Sequence, residues 1–172
     1  NTAGKDTTGG RGGAIRFGTE SNTTAGGTLT NVTIDGCQAA NGSAIMLAQN
    51  CSGAVSIRNS TIRNCRSTTS DWGGTIRTQG KYKGQLTIES CVIENNYSSK
   101  NGGGVYWNAC GDGASLTIKG TGTNPTIIRG NSAGTQGGGL HLGGQNITIE
   151  HTQILNNNAP NGGGISMTPY DD

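Results

Sequence analysis

Arg16, Arg77, Tyr106 and His141 share one position in this 172-residue protein: each directly follows an aliphatic residue that closes a small-residue signature. Cations and a phenol in one row would hold an anionic sugar, the guanidinium groups meeting its negative groups. The full row is Arg16, Met46, Arg77, Tyr106, His141 and Ser166, and it contains no carboxylate. A glycosidase of the usual kind needs two suitably spaced carboxyl groups. A calcium-dependent lyase needs clustered oxygen ligands. Asp71 and Asp112 stand alone in loops far apart in sequence. No catalytic residue and no metal site is therefore assigned. Residues of these types mostly face solvent, so the row is expected to be a solvated face.

The five cysteines include no CxxC and have no histidine nearby, which gives no zinc signature. Their odd number leaves at least one thiol free or paired with another molecule. No cofactor is implied.

The elements that must position these residues form a repeat. Small-residue signatures recur as GGAI (12–15), GSAI (42–45), GGTI (73–76), GGGV (102–105), GGGL (137–140) and GGGI (162–165). Their closing residues are Ile15, Ile45, Ile76, Val105, Leu140 and Ile165, spaced by 30, 31, 29, 35 and 25 residues. Two positions on stand Phe17, Leu47, Thr78, Trp107, Leu142 and Met167, the alternation of a strand with one buried face. A second strand follows at GTL (27–29), VSI (55–57), LTI (86–88), LTI (116–118) and ITI (147–149). A third follows at VTI (32–34), STI (60–62), CVI (91–93), TII (126–128) and TQI (152–154). One variable residue later comes only glycine or asparagine, at Gly36, Asn64, Asn95, Gly130 and Asn156. Those two types adopt left-handed backbone angles most readily. His151 shares an earlier bend position with Asn31, Asn59 and Ser90, and reads as a turn residue.

Three short strands and a bend, repeated, predict an all-β, single-stranded parallel β-helix of about six turns of roughly 30 residues. Stacked at ~4.8 Å, six turns would make a rod roughly 29 Å long. The glycines would sit at a corner where a side chain meets its copies in neighbouring turns. The five extra residues at KGTGTNPT and the shortened loop after Leu142 would project from the rod.

Stacking turns sequence positions into rows. Cys37, Cys65, Asn96, Asn131 and Asn157 form one row, predicted as a ladder of asparagine amides with small buried thiols at its start. The row spacing would also permit a Cys37–Cys65 disulfide, whereas Cys51 and Cys110 lie two turns apart. Arg58, Glu89, Lys119 and Glu150 alternate in sign, as do Asp35, Arg63, Glu94 and Arg129, which would hold the register. Thr28, Ser56, Thr87, Thr117 and Thr148 make a hydroxyl row. The charged row beside it argues against a flat ice-binding face, and threonine suits strands anyway.

Composition sets outer limits. Glycine stands at 32 residues and aromatic residues at 4%, which disfavours a core of large side chains. A net charge of +2 is too balanced to argue for nucleic acid or an anionic membrane. No apolar run reaches the length of a membrane span, so no insertion by this segment is expected. Seven Asn-x-Ser/Thr sequons stand at Asn22, Asn31, Asn41, Asn50, Asn59, Asn96 and Asn146. In a eukaryotic secreted protein the exposed ones could carry glycans.

GGAI at 12–15 with IxxN at Ile93–Asn96, Ile128–Asn131 and Ile154–Asn157 resembles the repeats of chlamydial-type polymorphic outer membrane proteins. Those carry GGA[ILV] and FxxN; here isoleucine replaces the phenylalanine, and cysteine replaces asparagine at two positions. The resemblance implies a right-handed β-helix and a secreted or surface-exposed adhesin passenger, with a host-cell, matrix or glycan ligand. Similar repeats also occur in secreted β-helix proteins that include polysaccharide lyases and hydrolases. The whole of 1–172 reads as one β-helix segment of a longer repeat protein, with loops such as KYKG (81–84) and the 119–126 insertion as contact points. Uncovered end turns give an alternative, a filament subunit that stacks end to end.

Overall fold

A computed structural model describes residues 1–3, 10–68 and 72–169. Among them there is no helix: the fold is an all-β parallel solenoid of four sheets. The signature strands Ile15–Phe17, Ile45–Leu47, Ile76–Thr78, Val105–Trp107, Leu140–Leu142 and Ile165–Met167 pair in sequence order. A second sheet stacks Gly27–Thr30, Val55–Arg58, Gln85–Glu89, Ser115–Lys119 and Ile147–Glu150. A third stacks Thr33–Asp35, Thr61–Arg63, Val92–Glu94, Thr126–Arg129 and Thr152–Leu155. Each aliphatic row predicted from the repeat is a row of paired residues; Ile62, for example, pairs with both Ile34 and Ile93.

The fourth sheet was not expected. Its two-residue strands are Thr2–Ala3, Gln38–Ala39, Arg66–Ser67, Tyr97–Ser98 and Ser132–Ala133. They are too short to show an alternation. Their signal is the small second residue, and Ala39, Ser67, Ser98 and Ala133 are all buried. Each repeat thus has a short fourth side beyond the three strands anticipated.

Corners follow from backbone sterics. The first signature glycine has φ between 59° and 72° in all six copies, a region that costs an L side chain strain. The second and third positions are held small by proximity. A Cβ on Gly103 would strike the Gly138 carbonyl, and one on Gly104 would lie 2.7 Å from the Gly139 carbonyl. Crowding between copies, as expected, thus explains two of the three glycines, and handedness explains the other. The bends at Gly36, Asn64, Asn95, Gly130 and Asn156 are all left-handed, with φ of 52–65°. Asn31, Asn59, Ser90 and His151 also have positive φ, which makes His151 a turn residue.

The core lies inside the four sheets. Ile45, Ile76, Val105 and Leu140 form one fully buried row, and Leu47, Thr78, Trp107 and Leu142 the next. Ile57, Ile88 and Ile118 from the second sheet meet Ile62, Ile93 and Ile128 from the third. Each such burial contributes about 1.5–3 kcal/mol, against which the ordering of the backbone is set.

Beside this apolar interior runs the amide ladder. Asn96 Nδ2 donates to Asn131 Oδ1 at 2.9 Å, and Asn131 Nδ2 to Asn157 Oδ1 at 3.0 Å. The same Nδ2 groups donate to the carbonyls of Ile62 and Ile93 in the preceding repeat, at 3.0 and 2.9 Å. Each Oδ1 also accepts a backbone N–H, from Cys65 to Asn96, from Asn96 to Asn131 and from Asn131 to Asn157. Asn96 and Asn131 are 1% and 0% exposed, so these bonds replace water entirely.

Asn131→Ala should be costly, because it strands the Asn96 amide and two backbone groups away from solvent. A loss of about 2–3 kcal/mol in denaturant unfolding is expected, with a smaller loss for the half-buried Asn157→Ala. Equal and small effects of the two would contradict the ladder's energetic role.

Candidate functional site

Sheet pairing brings the proposed ligand row together. Arg77 pairs with Met46 and Tyr106, Tyr106 with His141, His141 with Ser166, and Arg16 with Met46. The Arg77 guanidinium lies 5.6 Å from the Tyr106 ring centroid. The Tyr106 and His141 rings are stacked at 5.0 Å with an interplanar angle of 11°. This is a cation–ring–ring pile along the solenoid axis.

The row is not the solvated face expected of it. Arg77, Tyr106 and His141 are 7%, 2% and 4% exposed, and Met46 is fully buried. Within the row, Arg77 lies against the Tyr106 ring and Tyr106 against His141. Thr168 Oγ1 sits 3.4 Å from His141 Nε2 and adds to the enclosure. Arg16 alone among the four is exposed, and it is occupied: its Nη2 donates to Glu20 Oε1 at 2.8 Å. The same carboxylate receives Arg11 and, on its other oxygen, Gln79 Nε2 at 3.4 Å. No periodicity marks Glu20, so nothing in the sequence pattern announces this clasp. Asp71, read as a lone loop carboxylate, lies outside the described residues.

Other acidic groups are also engaged. Arg58 and Lys119 flank Glu89 at 3.5 and 3.7 Å; Arg63 lies 2.9 Å from Asp35, and Arg129 2.8 Å from Glu94. The Asn64 amide at 2.8 Å, and then Arg63, hold the Asp35 carboxyl below its ordinary value of 3.8. Asp35, Glu89 and Glu94 of the alternating rows thus each meet a cation of a neighbouring repeat. Among the described residues no group of three or more His, Cys, Asp or Glu side chains is placed to hold a metal ion.

All five cysteines carry free thiols. Cys37 and Cys65 occupy the start of the ladder row, each thiol donating to a carbonyl two residues back, at 3.7 and 3.2 Å. Burial pushes the Cys65 thiol up to about 12 and raises that of Cys91. Cys91 belongs to a second polar row that the repeat pattern did not reveal. Ser60 Oγ accepts the Val32 N–H at 3.0 Å, and Thr126 Oγ1 accepts the Cys91 N–H at 3.3 Å. Its signal is a small polar residue at one corner position, Ser60, Cys91, Thr126 and Thr152.

The KYKG loop divides between core and surface. Tyr82 is fully buried, edge-on to Trp107 at 6.0 Å, and its hydroxyl donates to the Gly53 carbonyl at 2.9 Å. It is a core residue and not the contact point expected of the loop. Lys81 and Lys83 are exposed. Lys83 borders an open cavity of about 380 Å³ with Asn22, Thr23, Thr24, Asn50 and Ser52. Every residue lining it offers a hydrogen-bonding side group. Of the sequons, Asn96 and Asn41 are buried, while Asn22, Asn31, Asn59 and Asn146 are exposed. The tip of the insertion, 121–124, is exposed as well.

No family model, curated protein or solved structure matches this protein.

Two measurements test these environments. Because Asp35 titrates lower when folded, its stabilisation is present above pH 3.8 and is lost as pH falls through the folded value. The melting-temperature gap between wild type and Asp35→Asn at low salt should therefore be present at neutral pH and close in acid. A gap independent of pH would contradict the pairing. Separately, the thiolate is the nucleophile, so iodoacetamide at about pH 8 should label the half-buried Cys110 first. Cys65 and Cys91 should react only after unfolding.

Proposed function

We propose that this protein is a non-catalytic, secreted or cell-surface β-helix that serves as the stalk and adhesive segment of a longer repeat protein. In this reading the solenoid is right-handed, has about six turns, and is akin to chlamydial-type polymorphic outer membrane protein repeats. The observation that carries the proposal is where the reactive side groups go. Arg77, Tyr106 and His141 are buried and in contact along their row. Asp35, Glu89 and Glu94 are spent on cations in adjacent repeats. Groups committed to self-pairing support a scaffold and leave ligand contact to the loops.

The polar cavity beside Lys83 supports a glycan or an acidic glycoprotein as the partner. Hydroxyl and amide groups match sugar hydroxyls, and the lysine matches a negative substituent. A second reading is end-to-end stacking of this β-helix into a filament.

The test is binding of the purified protein to a glycan array and to immobilised matrix glycoprotein, alongside incubation with polyuronates and neutral polysaccharides. Binding should fall about tenfold or more in Lys83→Ala combined with Asn50→Ala, the scale of losing one charged and one neutral hydrogen bond. No polysaccharide product should form. Release of new reducing ends or unsaturated uronides would replace this reading with an enzymatic one. Sedimentation across a concentration series separates the filament: mass growing without limit favours it, and a constant monomer mass removes it.

A further inference from the structure

Most arginines of this protein are matched with carboxylates. Arg11 and Arg16 meet Glu20, Arg58 meets Glu89, Arg63 meets Asp35 and Arg129 meets Glu94. Arg77 is buried. Arg66 differs from all of these. It is exposed on the fourth sheet, forms no ion pair with any described residue, and places its Cζ 4.2 Å from the Tyr97 ring centroid. Ala39, Ser67, Ser98 and Ala133 point inward and are buried, so the alternate residues Gln38, Arg66, Tyr97 and Ser132 form the outer face of that sheet. Pairing continues beyond this row on both sides, with Thr2 against Gln38 and Asn158 against Ser132.

We propose that this row is a binding site for an acidic saccharide, with Arg66 as the receptor for its anionic group and Tyr97 as the platform that holds the receptor. Contact with the ring uses the charge of the guanidinium. Its N–H donors lie in its own plane and remain for an oxyanion, a carboxylate or a sulfate ester, which they fit in pairs. The ring also restrains the long side chain before a ligand arrives, which lowers the ordering cost of binding. Asp35 and Glu94 on the adjoining third sheet are held by Arg63 and Arg129, so they do not compete for Arg66. Gln38 and Ser132 add an amide and a hydroxyl to the same row, matched to sugar hydroxyls.

The surface suits a sugar better than an acidic peptide. Peptides dock on an open strand edge or in an apolar groove. Arg66–Ser67 and Tyr97–Ser98 are paired on both sides, so no backbone edge is open, and Tyr97 supplies the one apolar ring of the row. The cation beside a phenol expected at Arg77 and Tyr106, which are buried, is thus presented to solvent at Arg66 and Tyr97. None of these residues lines the cavity beside Lys83, so the site goes beyond the stalk reading and does not depend on it.

The experiment is calorimetric titration of the folded 172-residue protein at low salt with an oligogalacturonate, a heparin oligosaccharide, a neutral maltooligosaccharide and an oligoglutamate. It is run in wild type and in Lys83→Ala combined with Asn50→Ala, so that the cavity's contribution is removed. In both proteins at least one acidic saccharide should bind, the first two probes separating carboxylate from sulfate, and affinity should fall as salt rises. Added to the double variant, Arg66→Ala should weaken binding about tenfold or more, the scale of a charged hydrogen bond. Arg66→Lys keeps the charge but loses the fork, and should weaken it about threefold or more. Tyr97→Phe keeps the ring and should stay within about twofold. Arg66 is exposed and phenylalanine preserves the ring, so these variants do not threaten the fold. Loss of all binding in the double variant, equal binding of the neutral sugar, tighter binding of oligoglutamate, no binding of either acidic saccharide, or an Arg66→Ala affinity equal to that of its parent would each overturn the proposal.

Discussion

In-register stacking of parallel strands is the constraint from which the rest of this structure follows. Every side chain has as its nearest neighbours the residues at the same position one repeat away, about 4.8 Å distant. A row must therefore tolerate itself. Aliphatic rows do so by packing, and amides by donating along the row to the next amide. Charges do so only by alternating. Arg58, Glu89 and Lys119 alternate for this reason, and the Glu89 carboxylate meets a cation on either side. The Arg77–Tyr106–His141 pile obeys the same rule, with an aromatic ring between two nitrogen-rich groups.

The amide row is the most demanding case, because a buried amide with a missing partner costs more than a satisfied one contributes. Asn131 uses both its Nδ2 donors and places two N–H groups on its Oδ1. That full use requires the neighbouring residue to be another asparagine in the same rotamer. At the start of the row the requirement lapses. Cys65 offers its backbone N–H to Asn96 and turns its thiol to the Arg63 carbonyl. A thiol is small enough to fill the position and polar enough to bond locally, so the ladder can begin there without an orphaned group.

The repeat was legible because burial in a solenoid follows residue type row by row. The three strand positions and both bends were readable from aliphatic spacing and from glycine and asparagine at fixed offsets. What escaped had no such mark. The fourth sheet is built of two-residue strands, shorter than any alternation. The burial of Tyr106 and His141 runs against the expectation for a row of polar residues, which ordinarily faces water, and linear order carries no mark of it. Tyr82 sits between two lysines in a turn-like stretch, yet its ring reaches Trp107. The Glu20 clasp joins a loop to Arg11, Arg16 and Gln79, none of which is at a repeated spacing from it.

Register is also independent of loop length. Asn96 and Asn131 are joined across 35 residues that include the 119–126 insertion, while Asn131 and Asn157 are joined across 26. The two amide bonds are nonetheless 2.9 and 3.0 Å. The insertion closes on itself, with the Asn124 N–H donating to Thr121 Oγ1 at 2.9 Å and Thr126 Oγ1 donating back to the Lys119 carbonyl. The insertion is also tied to the preceding repeat, the Ser90 hydroxyl donating to the Asn124 carbonyl at 3.0 Å, and the rows on either side keep their spacing. Loop sequence can then vary without cost to the stack, whereas any change in a row is felt by two neighbours. Such a scaffold can carry different loop sequences at exposed segments such as 121–124 without disturbing the rows.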